Sequence, residues 1–198
     1  MTWAPDYATP AELKSYLRID DAADDVFIAL WITTVSRNID DHTSRQFGQV
    51  AALEARTYTP VYDRHLCAHV LVVDDVQDVT GLTVVDEDGT TVTGHTYGPV
   101  NAVKKGRPYE RLIFGSDATS FTGDLTVTAL WGWDPASVGP TVAKTGLMLQ
   151  GARLAARRDS PFGISGSPQE QGELRLLAQL DPDFRTSLKP LRRKWWAA

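Results

Sequence analysis

Apolar residues recur with a period near 3.6 at both ends of this chain and near 2 in its middle, which predicts helices flanking a sheet. Thr9 can cap a helix with its hydroxyl, Pro10 tolerates the first helical position, and Glu12 completes a capping box, so a short helix is expected from Pro10 to about Leu17. Its stripe of Leu13, Tyr16 and Leu17 is too short to be stable without packing on a second element. The next run follows Asp20, Asp21, Asp24 and Asp25, carboxylates suited to the positive end of a helix dipole. Phe27 or Ile28, Trp31, Ile32, Val35, Ile39 and His42 give it a long apolar stripe, with Gly48 as the expected stop.

From Leu53 to Trp133 the pattern changes to short β-rich runs: ARTYTPVY, HVLVVDD, VTGLTVVDEDGTTVTGHTY, ERLIFG and GDLTVTALWGW. Asp88-Gly89 marks a tight hairpin, and Asp86, Glu87 and Asp88 read as its solvated tip. Leu125, Val127 and Ala129 alternate with Thr126, Thr128 and Leu130, as a strand with one buried face requires. The helical period returns at Val142, Leu147, Leu149, Leu154 and Ala155, and Ser160-Pro161 ends it. Gly146 and Gly151 weaken that helix unless they allow close approach of a neighbour.

The fold class expected is α+β. A small bundle of three main helices is assembled from residues 1–48 and 137–160, with an antiparallel β domain inserted at 49–136 and an extended C-terminal arm at 161–198. The arm runs through polar residues to a basic aromatic end, and we read it as a segment that orders on a partner.

Composition narrows the function. At 198 residues the chain can bury roughly 70% of its unfolded surface, enough for one or two modest cores. Nothing resembles a signal peptide, and no apolar run is long enough to span a membrane. Cys67 is the one cysteine, which excludes an internal disulfide framework, suits a reducing cytoplasm and fits a small buried hydrophobe. A net charge of −5 argues against general affinity for nucleic acid. The best enzymatic candidate is His65, Cys67 and His69, which strand alternation would place on one face as metal ligands; no fourth ligand or general base stands at recognisable spacing. Phosphate-cradling and nucleophile-elbow motifs are absent from the sequence. We therefore expect no enzyme, no cofactor and no metal.

An ordered set of motifs carries the functional reading. A T-P-x-E-L helix start and an acidic turn precede a long helix ending in T-x-R-x-F (Thr43, Arg45, Phe47). The β-rich insert then ends in G-W-x-P (Gly132, Trp133, Pro135), and the last helix in R-x-S-P-x-G (Arg158, Ser160, Pro161, Gly163). In this order the chain resembles the head-tail connector adaptors of long-tailed double-stranded DNA phages and prophages. That resemblance implies a homo-oligomeric ring, usually a dodecamer, in the virion neck, made in the host cytoplasm. The ring would dock on the portal protein, offer a platform to a stopper or tail connector, and let genomic DNA pass without sequence-specific binding.

Within that reading, Asp21, Asp24, Asp25, Trp31, Arg153, Arg157 and Arg158 are candidate intersubunit contacts, although by ordinary burial Trp31 and its stripe read first as core of a single subunit, and the charged groups could equally form a solvated turn or complement helix ends. Phe184, Arg185, Leu188, Arg192, Arg193, Lys194, Trp195 and Trp196 are candidate portal-docking residues, because aromatic and arginine side chains dominate interface hot spots. Deleting residues 181–198 is then expected to leave the fold intact and abolish portal binding. The alternatives are a tail-completion or stopper protein of the neck and a metal-dependent hydrolase built on His65, Cys67 and His69.

Overall fold

A computed structural model of the protein describes residues 5–158, 164–165, 174–175 and 180–193. Helix α1 (Pro10–Leu17) begins as its capping box dictates: the Thr9 hydroxyl accepts from the Glu12 N–H, and the Glu12 carboxylate accepts from the Thr9 N–H at 2.9 Å. Helix α2 spans Asp25–Thr43 and buries Ile28, Ile32, Val35 and Ile39. It ends at Ser44, whose φ of 53° turns the chain into the left-handed region, so the stop falls before the expected Gly48.

The β strands are β1 (Glu54–Tyr58), β2 (Val61–Asp63), β3 (Ala68–Val85), β4 (His95–Gly98), β5 (Tyr109–Phe114) and β6 (Leu125–Trp131). They form a six-stranded antiparallel sheet ordered β1-β6-β3-β5-β4, with β2 pairing β3 off that path. The runs HVLVVDD and VTGLTVV, expected as separate strands, are one bent strand, β3. Its first part pairs β5 and its second pairs β6; within the β6 pairing the register shifts between Val76 and Asp78 and again between Asp78 and Thr83, where Gly81 adopts a φ of +75°. Leu125, Val127, Ala129 and Trp131 of β6 turn inward onto Leu71, Val73, Val76, Val84, Leu112 and Phe114. The structure is thus α+β, with four α-helices among the described residues.

Helix α3 (Val138–Arg158) is followed by a two-residue ladder between β7 (Ile164–Ser165) and β8 (Leu174–Arg175), and by α4 (Pro182–Leu188) with a 3-10 turn at Lys189–Leu191. The chain divides into two compact units, one of residues 4–45 and 141–193 and one containing 46–140. Residues 180–193 are therefore folded into the helical unit rather than extended: Phe184, Leu188 and Leu191 are buried there. In that unit Gly146 and Gly151 are sites of close approach. An added Cβ would lie 1.7 Å from Phe184 Cε2 at Gly146 and 2.9 Å from Leu13 Cδ1 at Gly151.

The segment before α1 lies along α2. The Tyr7 N–H donates to Ser36 Oγ at 3.2 Å, the Tyr7 hydroxyl donates to Asp40, and Arg37 donates to the Pro5 carbonyl while pairing with Asp40 at 3.2 Å. Burial pushes the Asp40 carboxyl up to about 6, against the opposing pull of Tyr7 and Arg37.

Candidate assembly surfaces

Three of the residues that carried the connector resemblance, Phe47, Gly132 and Trp133, meet at the two ends of the β insert, whereas Ser160, Pro161 and Gly163 lie outside the described residues. Phe47 packs on Trp133 with ring centroids 5.3 Å apart, and the Trp133 N–H donates to the Gly48 carbonyl at 2.6 Å. Gly132, at a φ of +110°, donates its N–H to the Asp75 carbonyl at 2.6 Å; a Cβ there would lie 1.8 Å from the Gly48 oxygen. The Trp133 indole N–H donates to the buried Asp75 carboxylate at 2.8 Å. Phe47 and the Gly132-Trp133 pair therefore tie the strand that enters the β unit to the strand that leaves it. Their role is architectural, which is why they stand so far apart in sequence.

The charged candidates find partners within the chain. Asp24, the residue before α2, receives the Arg158 guanidinium, which holds the Asp24 carboxyl below its ordinary range. Asp25 pairs with Lys14 at 2.7 Å, and Asp21 accepts from the Ala23 N–H at 3.0 Å. Arg153 reaches Asp181 at 3.0 Å. Asp181 in turn caps α4, accepting from the Asp183 and Phe184 N–H groups at 2.9 and 3.2 Å. Asp24, Asp25, Arg153 and Arg158 thus each have a partner within the chain, and these pairs link α1 to α2, α2 to α3 and α3 to the start of α4. Arg157 is half-buried near the end of α3.

The candidate docking arm divides likewise. Phe184 and Leu188 are buried and unavailable as docking anchors, whereas Arg185 and Arg192 are exposed. Burial and the charges of Arg185 and Arg192 depress the His42 imidazole below its usual range, and the Arg193 N–H donates to the Thr43 carbonyl at 2.8 Å. These cations thus gather where α2 ends, beside carbonyls carrying the negative end of its dipole. Lys194, Trp195 and Trp196 lie outside the described residues.

The metal candidate does not assemble as alternation suggested. Residues 64–67 form the turn between β2 and β3, capped by Asp63, whose carboxylate accepts from the His65 and Leu66 N–H groups at 2.8 and 3.2 Å. Cys67 has a φ of 48° and is exposed, so it is not the buried hydrophobe expected. His69 packs edge-on against Tyr62 and Phe121. Among the described residues no three His, Cys, Asp or Glu side chains stand close enough together to hold a metal ion, and no helix is long and apolar enough to cross a membrane.

The outer face of α2, signalled in the sequence by Trp31, also carries Val26 and Leu30, which sequence reasoning did not name. Val26, Phe27 and Leu30 are 79%, 48% and 61% exposed, and half-buried Trp31 stacks on Phe27 with centroids 6.4 Å apart. Arg158 lies over the Phe27 ring at 5.7 Å. Tyr16 of α1 is also exposed. The signal was present in the unbroken apolar run from Val26 to Ile32, which is wider than the stripe that one side of a helix can bury.

Comparison with known proteins places this architecture. No family model matches the chain, and no curated protein matches it. Among solved structures, it is similar to a chain in the neck of an empty gene transfer agent (GTA) particle computed with C6 symmetry, with 14% identity, a TM-score of 0.59, and coverage of 100% of this chain and 95% of that one. It is also similar to a chain in the virion of a native GTA particle, with 18% identity, a TM-score of 0.53 and the same coverage of 100% and 95%. The fold of this chain, end to end, is one found in GTA particles.

Proposed function

We propose that this chain is a structural protein of the neck of a phage-like particle, a head-to-tail adaptor that forms a ring on the portal and leaves a channel for DNA. The observation that carries the proposal is the end-to-end likeness to a neck chain, covering 100% of this protein and 95% of the neighbour. The sequence resemblance to connector adaptors points the same way from a different starting point. A ring made of one kind of subunit needs a heterologous contact that closes by rotation. The outer face of α2, with Val26, Phe27, Leu30 and Trp31, offers the apolar patch for one side of that contact. A ring of twelve contains the sixfold rotation with which the neighbouring neck was computed.

Portal docking falls to the C-terminal end from Arg192 onward, where Arg193, Lys194, Trp195 and Trp196 follow. The downstream partner is a stopper or tail connector, and the chain acts without substrate or cofactor. The test is native mass of the protein alone and after mixing with its cognate portal, followed by imaging of any large species. A ring stacked coaxially on the portal is the expected result. A chain that ignores the portal, and is absent from purified particles, would overturn the reading.

A further inference from the structure

The β unit carries opposite charges at the two ends of one strand ladder. Strands β4 and β5 pair from His95↔Phe114 to Gly98↔Arg111. Beyond Gly98 the connecting loop, residues 99–108, contains Lys104, Lys105 and Arg107, all exposed and without a carboxylate partner among the described residues. The loop is built to present them. The Lys105 and Arg107 N–H groups donate to the Ala102 carbonyl at 2.9 and 3.0 Å, and Ala102 is buried beneath. Val100 and Val103, 77% and 40% exposed, accompany the cations.

At the other end of the ladder two acidic loops are joined. Thr93 and Thr119 are bonded through their hydroxyls at 2.9 Å and their backbones at 3.0 Å, just outside the His95↔Phe114 pair. The hairpin tip lies against the same loop: the Thr122 hydroxyl donates to Asp88 at 2.7 Å, and the Asp124 N–H donates to Glu87 at 3.1 Å. This end therefore gathers Glu87, Asp88, Asp117 and Asp124; neither residues 84–95 nor 115–124 contain a lysine or arginine, while the turn that leads to the His69↔Phe114 pair carries Arg64. Asp86 is not part of the solvated tip; it is buried, and its carboxylate accepts from the Asp88 and Thr90 N–H groups at 3.1 and 2.8 Å.

We infer that the basic loop 99–108 of one copy docks on the acidic end, residues 87–88 with 117 and 124, of a second copy of this chain. A heterologous contact needs two different, complementary patches on each subunit, and here one small sheet supplies both signs on separate ends. The valines favour a protein partner over duplex DNA, whose phosphate backbone would engage the cations and leave the apolar side chains unused. The inference rests on the ring reading and adds which surfaces of the β unit meet.

The test is sedimentation of the full chain across salt, with K104E/K105E/R107E, with E87K/D88K/D117K/D124K, and with both sets combined. We expect wild-type self-association that weakens about tenfold or more when salt rises from about 20 to about 500 mM, as screening of exposed charge requires. Each set of reversals should weaken it comparably at low salt, and combining them should restore it. Circular dichroism of each variant checks that the sheet has formed, and a variant that fails to fold is replaced by the single changes K105E and D88K. Salt-independent association, a wild type that stays monomeric at every salt concentration, or reversals that do not correct one another would overturn the inference. So would loss of duplex DNA binding in K104E/K105E/R107E with self-association unchanged. Failure of the neck reading would show separately, as absence from particles despite salt-sensitive pairing.

Discussion

Asp40 shows how one side chain can oppose the fold that it helps to join. It accepts from the Tyr7 hydroxyl and faces Arg37, yet burial dominates and raises its pKa to about 6. The unfolded chain releases that proton near pH 4, so the folded state binds it more tightly. The resulting contribution is fully present below about pH 4 and is lost as pH rises through about 6, a gap on the order of 3 kcal/mol. Replacing Asp40 by Asn keeps an oxygen for Tyr7 and removes the charge. D40N should therefore be at least as stable as the native chain at pH 7.5, with this pH 4 to 6 slope gone, as urea midpoints across that range will show. A D40N midpoint well below the native one at pH 7.5 would mean that the Arg37 pair outweighs desolvation.

At the scale of elements, α3 and α4 explain what the sequence made legible and what it hid. The Thr9 capping box gave the start of α1 directly because both of its hydrogen bonds lie within four residues. The inward alternation of β6 was equally local. Helix α4 was hidden because its evidence is not local. Phe184 and Leu188 read as anchors on a polar arm, and the pocket that buries Phe184 is defined by a missing side chain on α3, Gly146. The α3 stripe was read only in part for the same reason: Leu147 is buried, but Val142, Leu149, Leu154 and Ala155 are half-buried, and other buried positions, among them Ala143, Gly146 and Gly151, carry little hydrophobic signal. Charges at helix ends were legible as helix-end residues, but which ends they joined depends on contacts such as Arg158 with Asp24. The burial of Phe184, Leu188 and Leu191 instead predicts that removing residues 182–193 destabilises the helical unit. Phe184→Ala should cost about 3–5 kcal/mol in chemical denaturation, as for other buried aromatics. Ending the chain before Pro182 should cost more, since Leu188 and Leu191 are lost with it.

At the scale of the whole molecule, the proposed ring is tested at the apolar groups that remain exposed rather than at those that are buried. Leu30 and Val26 lie one turn apart on the outer face of α2, while Ile28 and Ile32 of the same helix are fully buried. Substituting an exposed side chain removes little folding energy, so Leu30→Asp should change stability by less than about 1 kcal/mol. If α2 supplies a ring contact, the same carboxylate would have to be desolvated twelve times around a twelve-membered ring, and each unpaired burial is strongly unfavourable. L30D should therefore yield a folded chain that fails to enter the neck, measured as normal circular dichroism and thermal melting alongside its absence from purified particles. Ile28→Ala provides the contrast. It should lower stability by about 2–5 kcal/mol by opening a core cavity, while any chain that remains folded still assembles. If L30D particles contain the protein at native levels, the ring contact lies elsewhere, and the charged ends of the β unit become the surface to vary next.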